Sequence, residues 1–455
     1  MLLRRSVLLL PLALAALLSS CASTPPASSL PPIVFVHGNG DTAALWTTTL
    51  WRFESNGWPR ARLHAIDLPY PNARDDDTVA QPGRTSAAEH ARFLASEVDK
   101  VLGATGARQV VLVGNSRGGN AIRNYVQNLG GAAKVSHAVL GGTPNHGVWA
   151  NPTFRPNNEF NGEGAVLKSL NAPKGPNADE VAAGPKWLTL RSDNNDKFAQ
   201  PDGVWIGAKG TPTNVTFEGP ALKGALNVVL PGLDHREVSY HPQAFAKTYE
   251  FITGRAPATS AVTPEASVLL DGKVSGIGPA GPSNLPMIGA TLEVYAVDAA
   301  GARAGTAAHR KTVAADGRWG PFKADPQAAY EFVIAAEGYA TTHIYRSPFP
   351  RSSDIVHMRA ERIADADKDA GSVLSFVRPR GYFGLPRDTI SFDGASPAPG
   401  VPSGVAGVAV SKIKPAAQPS RPVVAEFSSG PISERIVGRP WPASENRVVT
   451  LEMHY

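Results

Sequence analysis

The sequence predicts an α/β domain, with a mostly parallel sheet covered by helices on both faces, followed by an all-β, sandwich-like C-terminal region. Over residues 33–254, short apolar runs alternate with amphipathic helical patterns, and such alternation produces parallel sheets. After residues 255–264, which are rich in Pro, Thr, Ser and Ala, the period of the apolar residues changes from about 3.6 to about 2. Turn dipeptides such as Asp271-Gly272 then separate short apolar runs, which is typical of β-sandwiches.

Length and composition agree with a globular protein of more than one domain. The chain has 455 residues, which exceeds a typical single domain. Hydrophobic residues make up 42% of the chain and charged residues 18%, so there is enough apolar material for a buried core. The formal net charge of +5 falls to +3 when Arg4 and Arg5 are removed. Because the basic residues form no stripe, we expect no nucleic-acid partner. The sequence leaves the oligomeric state open.

The first residues predict export and lipid attachment. Residues 1–20 combine a short positive segment with an apolar run, as in a lipoprotein signal peptide. The segment ending at Cys21 resembles the bacterial lipobox, and Cys21 is the only cysteine in the chain. We therefore expect a lipid anchor on Cys21, a tether over residues 21–32, and a location in the bacterial cell envelope, either membrane-anchored or secreted. The alternative is an ordinary secretory signal with cleavage near Ala22.

A candidate nucleophile lies between a strand and a helix. Residues 109–113 form an apolar, β-branched run that is typical of a buried parallel strand. The segment 114–118 fits the pattern G-x-S-x-G with Ser116 at its centre, and a helical pattern follows it. In this setting the pattern indicates a nucleophile elbow, a tight turn that presents the serine hydroxyl above the sheet.

A candidate general base follows the last strand of the α/β domain. Residues 227–230 read as a strand, and a short turn leads from it to His235. Its imidazole is therefore expected to take the proton from Ser116. Three other histidines are weaker candidates for the general base: His37 and His146, which flank the cleft, and His241, which precedes or caps the next helix.

The acid that orients the imidazole is expected after the preceding strand. The loop that follows residues 186–190 offers three aspartates. Asp196 is preferred because of its spacing to a following proline, Asp193 is the alternative, and Asp202 comes last.

An oxyanion hole needs two N–H donors aimed at one oxygen, and backbone amides provide them without reorganisation. One such amide belongs to Arg117, which directly follows the nucleophile. The second is expected from the loop after the first strand, at Asn39.

Four motifs in this order resemble those of the bacterial lipase and esterase branch of the α/β-hydrolase superfamily. They are His37-Gly38, Gly114-Asn115-Ser116-Arg117-Gly118, Gly141-Gly142-Thr143-Pro144-Asn145-His146-Gly147 and Gly232-Leu233-Asp234-His235. The resemblance implies an α/β-hydrolase catalytic domain over residues 33–254 and a serine carboxylic-ester hydrolase that acts through an acyl-enzyme. It implies an ester substrate, and neither a metal nor an organic cofactor. The chain order Ser, Asp, His is also that of this superfamily.

A long segment and two β units complete the predicted organisation. Residues 145–185 are too long for a simple connection, so we expect a lid insertion or a wall of the acyl pocket. Its aromatic side chains, Trp149, Phe154 and Phe160, are expected to meet an apolar acyl chain. Residues 265–364 contain pieces similar to the C-terminal β domains of some prokaryotic lipases, and residues 371–455 form a second predicted β unit.

Two further interpretations remain open from the sequence. The same chemistry could serve a polyester depolymerase, with the C-terminal region as a substrate-binding module. A non-catalytic surface-binding lipoprotein is the other alternative, and the combination of Ser116, His235 and an acidic loop argues against it.

Overall fold

The computed structural model describes residues 30–455. The predicted signal peptide at residues 1–20, the lipidation site Cys21 and nearly all of the tether lie outside the described residues. Within residues 30–455, no helix is both long enough and apolar enough to cross a membrane.

A six-stranded, fully parallel sheet forms the first half of the molecule, with the strand order β2-β1-β3-β4-β5-β6. The strands are β1 (Ile33–Val36), β2 (Leu63–Ile66), β3 (Val110–Asn115), β4 (Val135–Gly141), β5 (Lys186–Arg191) and β6 (Leu226–Val229). β1 and β3 are completely buried, as expected for apolar runs at the centre of such a sheet. Their carboxyl ends are aligned, because Val36 pairs with Gly114 and Gly114 pairs with Leu140.

Helices cover both faces of this sheet. They are α1 (Thr47–Ser55), α2 (Ala87–Thr105), α3 (Arg117–Asn128), α4 (Ala165–Asn171), α5 (Glu237–Tyr240) and α6 (Pro242–Thr253). Alternate residues of β1 enter opposite cores: Phe35 packs in the core formed with α1 and α6, whereas Val34 packs in the core formed with α2 and α3. This alternation is what a strand buried on both faces requires.

The second half of the molecule is β-rich. Its strands are β7 (Val268–Leu270), β8 (Val274–Gly278), β9 (Gly281–Pro282), β10 (Thr291–Val297), β11 (His309–Thr312), β12 (Phe322–Ala324), β13 (Ala329–Ala335), β14 (Thr341–Arg346), β15 (Met358–Ala360), β16 (Leu374–Val377), β17 (Thr389–Phe392), β18 (Val410–Ile413), β19 (Val423–Ser429), β20 (Ile432–Gly438) and β21 (Arg447–Glu452). The predicted fold class, a parallel sheet with helices on both faces followed by a β-rich region, is confirmed.

One seven-stranded sheet draws on both predicted β units. Its order is β11-β10-β13-β14-β21-β16-β18, so strands on either side of residues 364–371 pair in a single sheet. The junction is the parallel pair β14 and β21, in which Ile344 lies opposite Thr450. Smaller sheets, β12-β7, β15-β8-β9 and β17-β19-β20, pack around it.

Candidate active site

Ser116 occupies a strained turn between β3 and α3. β3 ends at Asn115 and α3 begins at Arg117, which leaves Ser116 with φ 51° and ψ −121°. A non-glycine residue with positive φ is uncommon, and such strain concentrates at functional sites. The Ser116 N–H donates to the Gly141 carbonyl at 2.8 Å. The turn also requires glycine at position 118, since a Cβ there would lie 2.5 Å from the Val36 carbonyl oxygen.

A continuous hydrogen-bonded chain links the hydroxyl, the imidazole and a carboxylate. The Ser116 hydroxyl lies 3.0 Å from His235 Nε2, and His235 Nδ1 lies 2.9 Å from Asp196 Oδ2. A carboxylate can only accept, so Nδ1 carries the hydrogen and Nε2 keeps its lone pair toward Ser116. The second oxygen of Asp196 accepts the Phe198 N–H at 2.8 Å, which fixes the carboxylate. The arrangement can move a proton from the hydroxyl to the imidazole.

The other aspartates of the acid loop have different partners. Asp193 Oδ2 accepts the Gly232 N–H at 3.0 Å, so this carboxylate ties the loop to the turn that precedes His235. Asp202 accepts the Val204 N–H at 3.2 Å within its own turn. Of the three sequence candidates, the structure therefore brings Asp196 to the imidazole.

The remaining candidate histidines are engaged elsewhere. His37 Nε2 accepts the Leu68 N–H at 3.1 Å, and burial lowers the pKa of His37, which keeps the ring neutral. His146 Nε2 lies 3.0 Å from a Glu180 oxygen. His241 caps α6 through a bond from a backbone N–H. These contacts are structural, and His235 is the imidazole that meets the serine.

The two expected oxyanion donors flank Ser116. Asn39 lines the same cavity as Ser116, and its side-chain oxygen accepts the Ala73 N–H at 2.7 Å, which fixes the loop after β1. Arg117 is the first residue of α3, where backbone N–H groups have no acceptor within the helix. The positive end of the helix dipole adds to the attraction for a developing negative charge at this point.

The side chain of Arg117 has a role that the sequence did not reveal. Its guanidinium forms a bidentate ion pair with Glu159, at 2.7 Å and 2.8 Å, and both side chains are buried. It also donates to the Pro71 carbonyl at 3.0 Å. Glu159 lies in the predicted lid segment, so that segment is fastened to the helix behind the nucleophile. The partners are 42 residues apart, and no local pattern connects them.

A cavity of about 260 Å³ opens at Ser116 and His235. Apolar and aromatic side chains form one part of its wall: Val148, Trp149, Phe160, Phe198, Trp205, Ile206 and Tyr382. Charged side chains form another part: Asp41, Arg74, Asp75, Arg84, Arg155 and Arg236. Phe154 packs its ring against Trp149, with the centroids 5.6 Å apart. A second cavity of about 370 Å³ shares Phe198 and His235 with the first. A larger space of about 570 Å³ lies between β2 and the β region and contacts none of the three residues of the hydrogen-bonded chain.

Tyr382 reaches this cavity from the C-terminal β region. Its ring lies 3.9 Å from Lys197 Nζ and 5.1 Å from the guanidinium carbon of Arg236, measured to the ring centroid. Burial, assisted by the charge of Arg236, lowers the pKa of Lys197 to about 8. No motif around residue 382 indicated a place in the site, because the contact joins segments far apart in the chain.

Comparisons with known protein families agree with this architecture. Residues 31–200 match the family described as alpha/beta hydrolase fold, and residues 266–363 match the family described as lipase C-terminal domain. Neither match extends beyond residue 363.

Several solved structures are similar to about half of the chain. Bacillus licheniformis lipase BlEst2 in its mature form is 21% identical, with 51% of this chain and 95% of that chain covered and a TM-score of 0.37. Aspergillus fumigatus lipase B is 12% identical, with 52% of this chain and 55% of that chain covered and a TM-score of 0.36. Carboxylesterase CesB from Bacillus subtilis is 14% identical, with 50% of this chain and 85% of that chain covered and a TM-score of 0.29.

The two family matches fall on the regions that the sequence motifs singled out. The α/β-hydrolase match covers the strand, turn and helix around Ser116, and the lipase match covers the first part of the β region. The expected resemblance to the lipases and esterases of the α/β-hydrolases is therefore confirmed for these two regions of the chain.

Proposed function

We propose that this chain cleaves carboxylic esters by nucleophilic catalysis, with Ser116 as nucleophile, His235 as general base and Asp196 as the orienting acid. The observation that carries the proposal is the hydrogen-bonded chain of these three side chains at the mouth of a cavity. The strained backbone of Ser116, between a parallel strand and a helix, supports it independently.

In the acylation half of the reaction, Ser116 Oγ attacks the ester carbonyl while His235 Nε2 takes the hydroxyl proton. The carbonyl oxygen becomes an oxyanion, which the N–H groups of Asn39 and Arg117 stabilise. Asp196 holds the ring orientation and stabilises the imidazolium. The carbon–oxygen bond to the alcohol then breaks, and His235 gives its proton to the departing alcohol.

In the deacylation half, water replaces the alcohol. His235 takes a proton from the water as it attacks the acyl-serine, and the same amides stabilise the second oxyanion. The bond to Ser116 Oγ breaks, the serine recovers its proton, and the carboxylic acid leaves. The apolar wall formed by side chains such as Trp149, Phe160 and Phe198 suits an apolar acyl group.

Replacing the nucleophile tests this proposal. In Ser116→Ala, hydrolysis of p-nitrophenyl butyrate is expected to fall by about 10³-fold or more, because the covalent route is lost. The thermal unfolding midpoint should stay close to that of the parent protein, since a single oxygen atom is removed. A variant that keeps the parent turnover would exclude Ser116 as the nucleophile.

We propose in addition that Cys21 carries a lipid that holds the enzyme at the bacterial envelope. The lipobox-like segment before this sole cysteine supports the proposal. Cys21→Ser should move the protein from the membrane fraction to the soluble fraction and abolish incorporation of a labelled fatty acid. Unchanged labelling of the variant would contradict it.

A further inference from the structure

The two loops that carry Asp196 and His235 are both held by the C-terminal β region. The segment 378–388, termed here the anchoring segment, contacts the turn that carries His235. Residues 406–407 contact the acid loop. Both groups lie after residue 363, beyond either family match.

Asp234 connects the anchoring segment to the catalytic turn. It directly precedes His235, is fully buried, and accepts the N–H groups of Arg236 and Glu237 at 2.9 Å and 3.0 Å through one oxygen. Through its other oxygen it accepts the Tyr382 N–H at 2.7 Å. One carboxylate thus fixes the turn internally and joins it to the anchoring segment.

Two arginines of the anchoring segment neutralise this buried acidic pair. Arg378 and Arg387 both donate to Glu237, the latter at 2.7 Å, and both lie within 3.5 Å of Asp234. They also donate to the Tyr382 carbonyl, at 2.7 Å and 2.6 Å. Two carboxylates three residues apart in a buried turn would repel each other without these cations, so the turn depends on them.

The acid loop is held in a similar way from the other side of the site. The Ala406 N–H donates to Asn195 Oδ1 at 2.9 Å, and Lys197 Nζ donates to the Gly407 carbonyl at 2.9 Å. These two loop residues flank Asp196 directly. The Trp205 ring packs on Gly407 so closely that a Cβ at position 407 would lie 1.9 Å from a ring carbon.

We propose that the C-terminal β region is an integral part of the active site rather than a separate substrate-binding module. Arg378 and Arg387 are positioning residues that hold His235 within reach of Ser116, and Tyr382 is a specificity-determining residue in the wall of the acyl pocket. The inference rests on the proposed function, because it assigns these residues to the same ester-cleaving site.

The positioning role is tested in the full-length protein with Arg387→Gln. Losing one cation should loosen the turn, so kcat for p-nitrophenyl butyrate is expected to fall between about tenfold and about 100-fold. KM should change by less than about threefold, because the pocket wall is retained. Arg387→Lys should recover part of kcat. The matched control Arg435→Gln removes a surface arginine that pairs with Glu426, and it should leave both constants unchanged.

Two further variants test the pocket and the acid loop while Asp234, Glu237, Arg378 and Arg387 all stay in place. Tyr382→Ala should raise KM for an aromatic acyl ester, p-nitrophenyl benzoate, by about tenfold, with a smaller change for the acetate ester. Gly407→Ala should displace Trp205 and lower kcat/KM for the benzoate ester relative to the acetate ester.

Kinetic constants of Arg387→Gln that match those of the parent protein, together with an unchanged benzoate-to-acetate ratio in Tyr382→Ala, would overturn the inference. In that case Ser116→Ala would still be inactive and the proposed function would stand. If Arg387→Gln does not fold, the benzoate-to-acetate ratio of kcat/KM in Tyr382→Ala and Gly407→Ala tests the inference instead. If the parent protein shows no hydrolysis that depends on Ser116, the proposed function fails and this inference fails with it.

Discussion

At the residue scale, the account depends on which carboxylate orients the imidazole. Asp196 and Asp193 lie in the same loop, and both accept hydrogen bonds from groups near His235. Asp196 bonds to the ring itself, whereas Asp193 bonds to the Gly232 N–H at the start of the catalytic turn. The two carboxylates therefore differ in function although they differ little in sequence context.

A pair of isosteric substitutions separates these roles. Asp196→Asn should reduce kcat by about 10⁴-fold, because an amide favours the wrong tautomer of His235. Asp193→Asn keeps one oxygen as an acceptor and should reduce kcat by less than about tenfold. Steady-state kinetics on one ester at a single pH suffices for the comparison. A larger loss in Asp193→Asn would show that the acid has been assigned to the wrong residue.

The sequence predicted some of these residues and not others. Ser116, His235 and Asn39 could be found because each follows an apolar run that ends at the carboxyl edge of a parallel sheet. The choice between the aspartates depended only on the spacing of Asp196 to a following proline, since three aspartates lie in one loop. Tyr382 carried no signal, because its contact with the site depends on packing between distant segments.

At the scale of the element, the turn between β3 and α3 requires very small residues. A Cβ at position 118 would meet the carbonyl oxygens of Val36 and His37 at 2.5 Å and 2.7 Å, and a backbone carbonyl cannot rotate away as a side chain can. Helix α3 is therefore packed directly against the end of β1, which keeps Ser116 beside the loop that contains Asn39.

The variant Gly118→Ala is expected to destabilise the protein by about 1–3 kcal/mol and to reduce activity strongly, because α3 must move away from β1. Gly103→Ala is the matched control. A Cβ at position 103 in α2 would contact nothing within 4 Å, so the change should be neutral or stabilising by up to about 1 kcal/mol. Denaturant unfolding measures both. Equal stability of the two variants would contradict the packing described here.

Local elements were predictable where one segment contains the whole signal. The start of α2 is an example, since Ser86 and Glu89 form a capping box within four residues: Glu89 N donates to Ser86 Oγ at 3.2 Å and Ser86 N donates to Glu89 Oε2 at 2.8 Å. Pairing between β14 and β21 was not predictable, because Thr341 and Arg447 are far apart in the sequence and no local pattern connects them.

At the scale of the whole molecule, many polar and charged side chains are buried between the two halves. His357 is an example: it lies next to the interface, its Nε2 is 2.7 Å from Ser275 Oγ, and burial together with the charge of Arg359 lowers the pKa of His357 to about 3. The folded protein thus holds this ring neutral, whereas the same ring in the unfolded chain gains a proton near pH 6.5.

This difference makes the free energy of unfolding depend on pH in a defined direction. Between pH 6.5 and about 3, His357 is protonated in the unfolded chain and neutral in the folded protein. Its contribution to the free energy of unfolding is therefore fully present above pH 6.5 and is lost as the pH falls. His357→Gln should therefore show a decline shallower by up to about 1.4 kcal/mol per pH unit below pH 6.5, relative to its own value at pH 8. Calorimetric unfolding at pH 8, 6 and 5 provides the comparison, and parallel curves for the two proteins would contradict it.

The proposed function depends on Ser116 being a nucleophile that His235 activates. The most direct measurement is intact-protein and peptide mass spectrometry after treatment with a fluorophosphonate, which reacts with an activated serine. We expect one adduct, on the peptide that contains Ser116, and at least about 100-fold slower labelling in His235→Ala. An unlabelled parent protein, or an adduct on another residue, would contradict it.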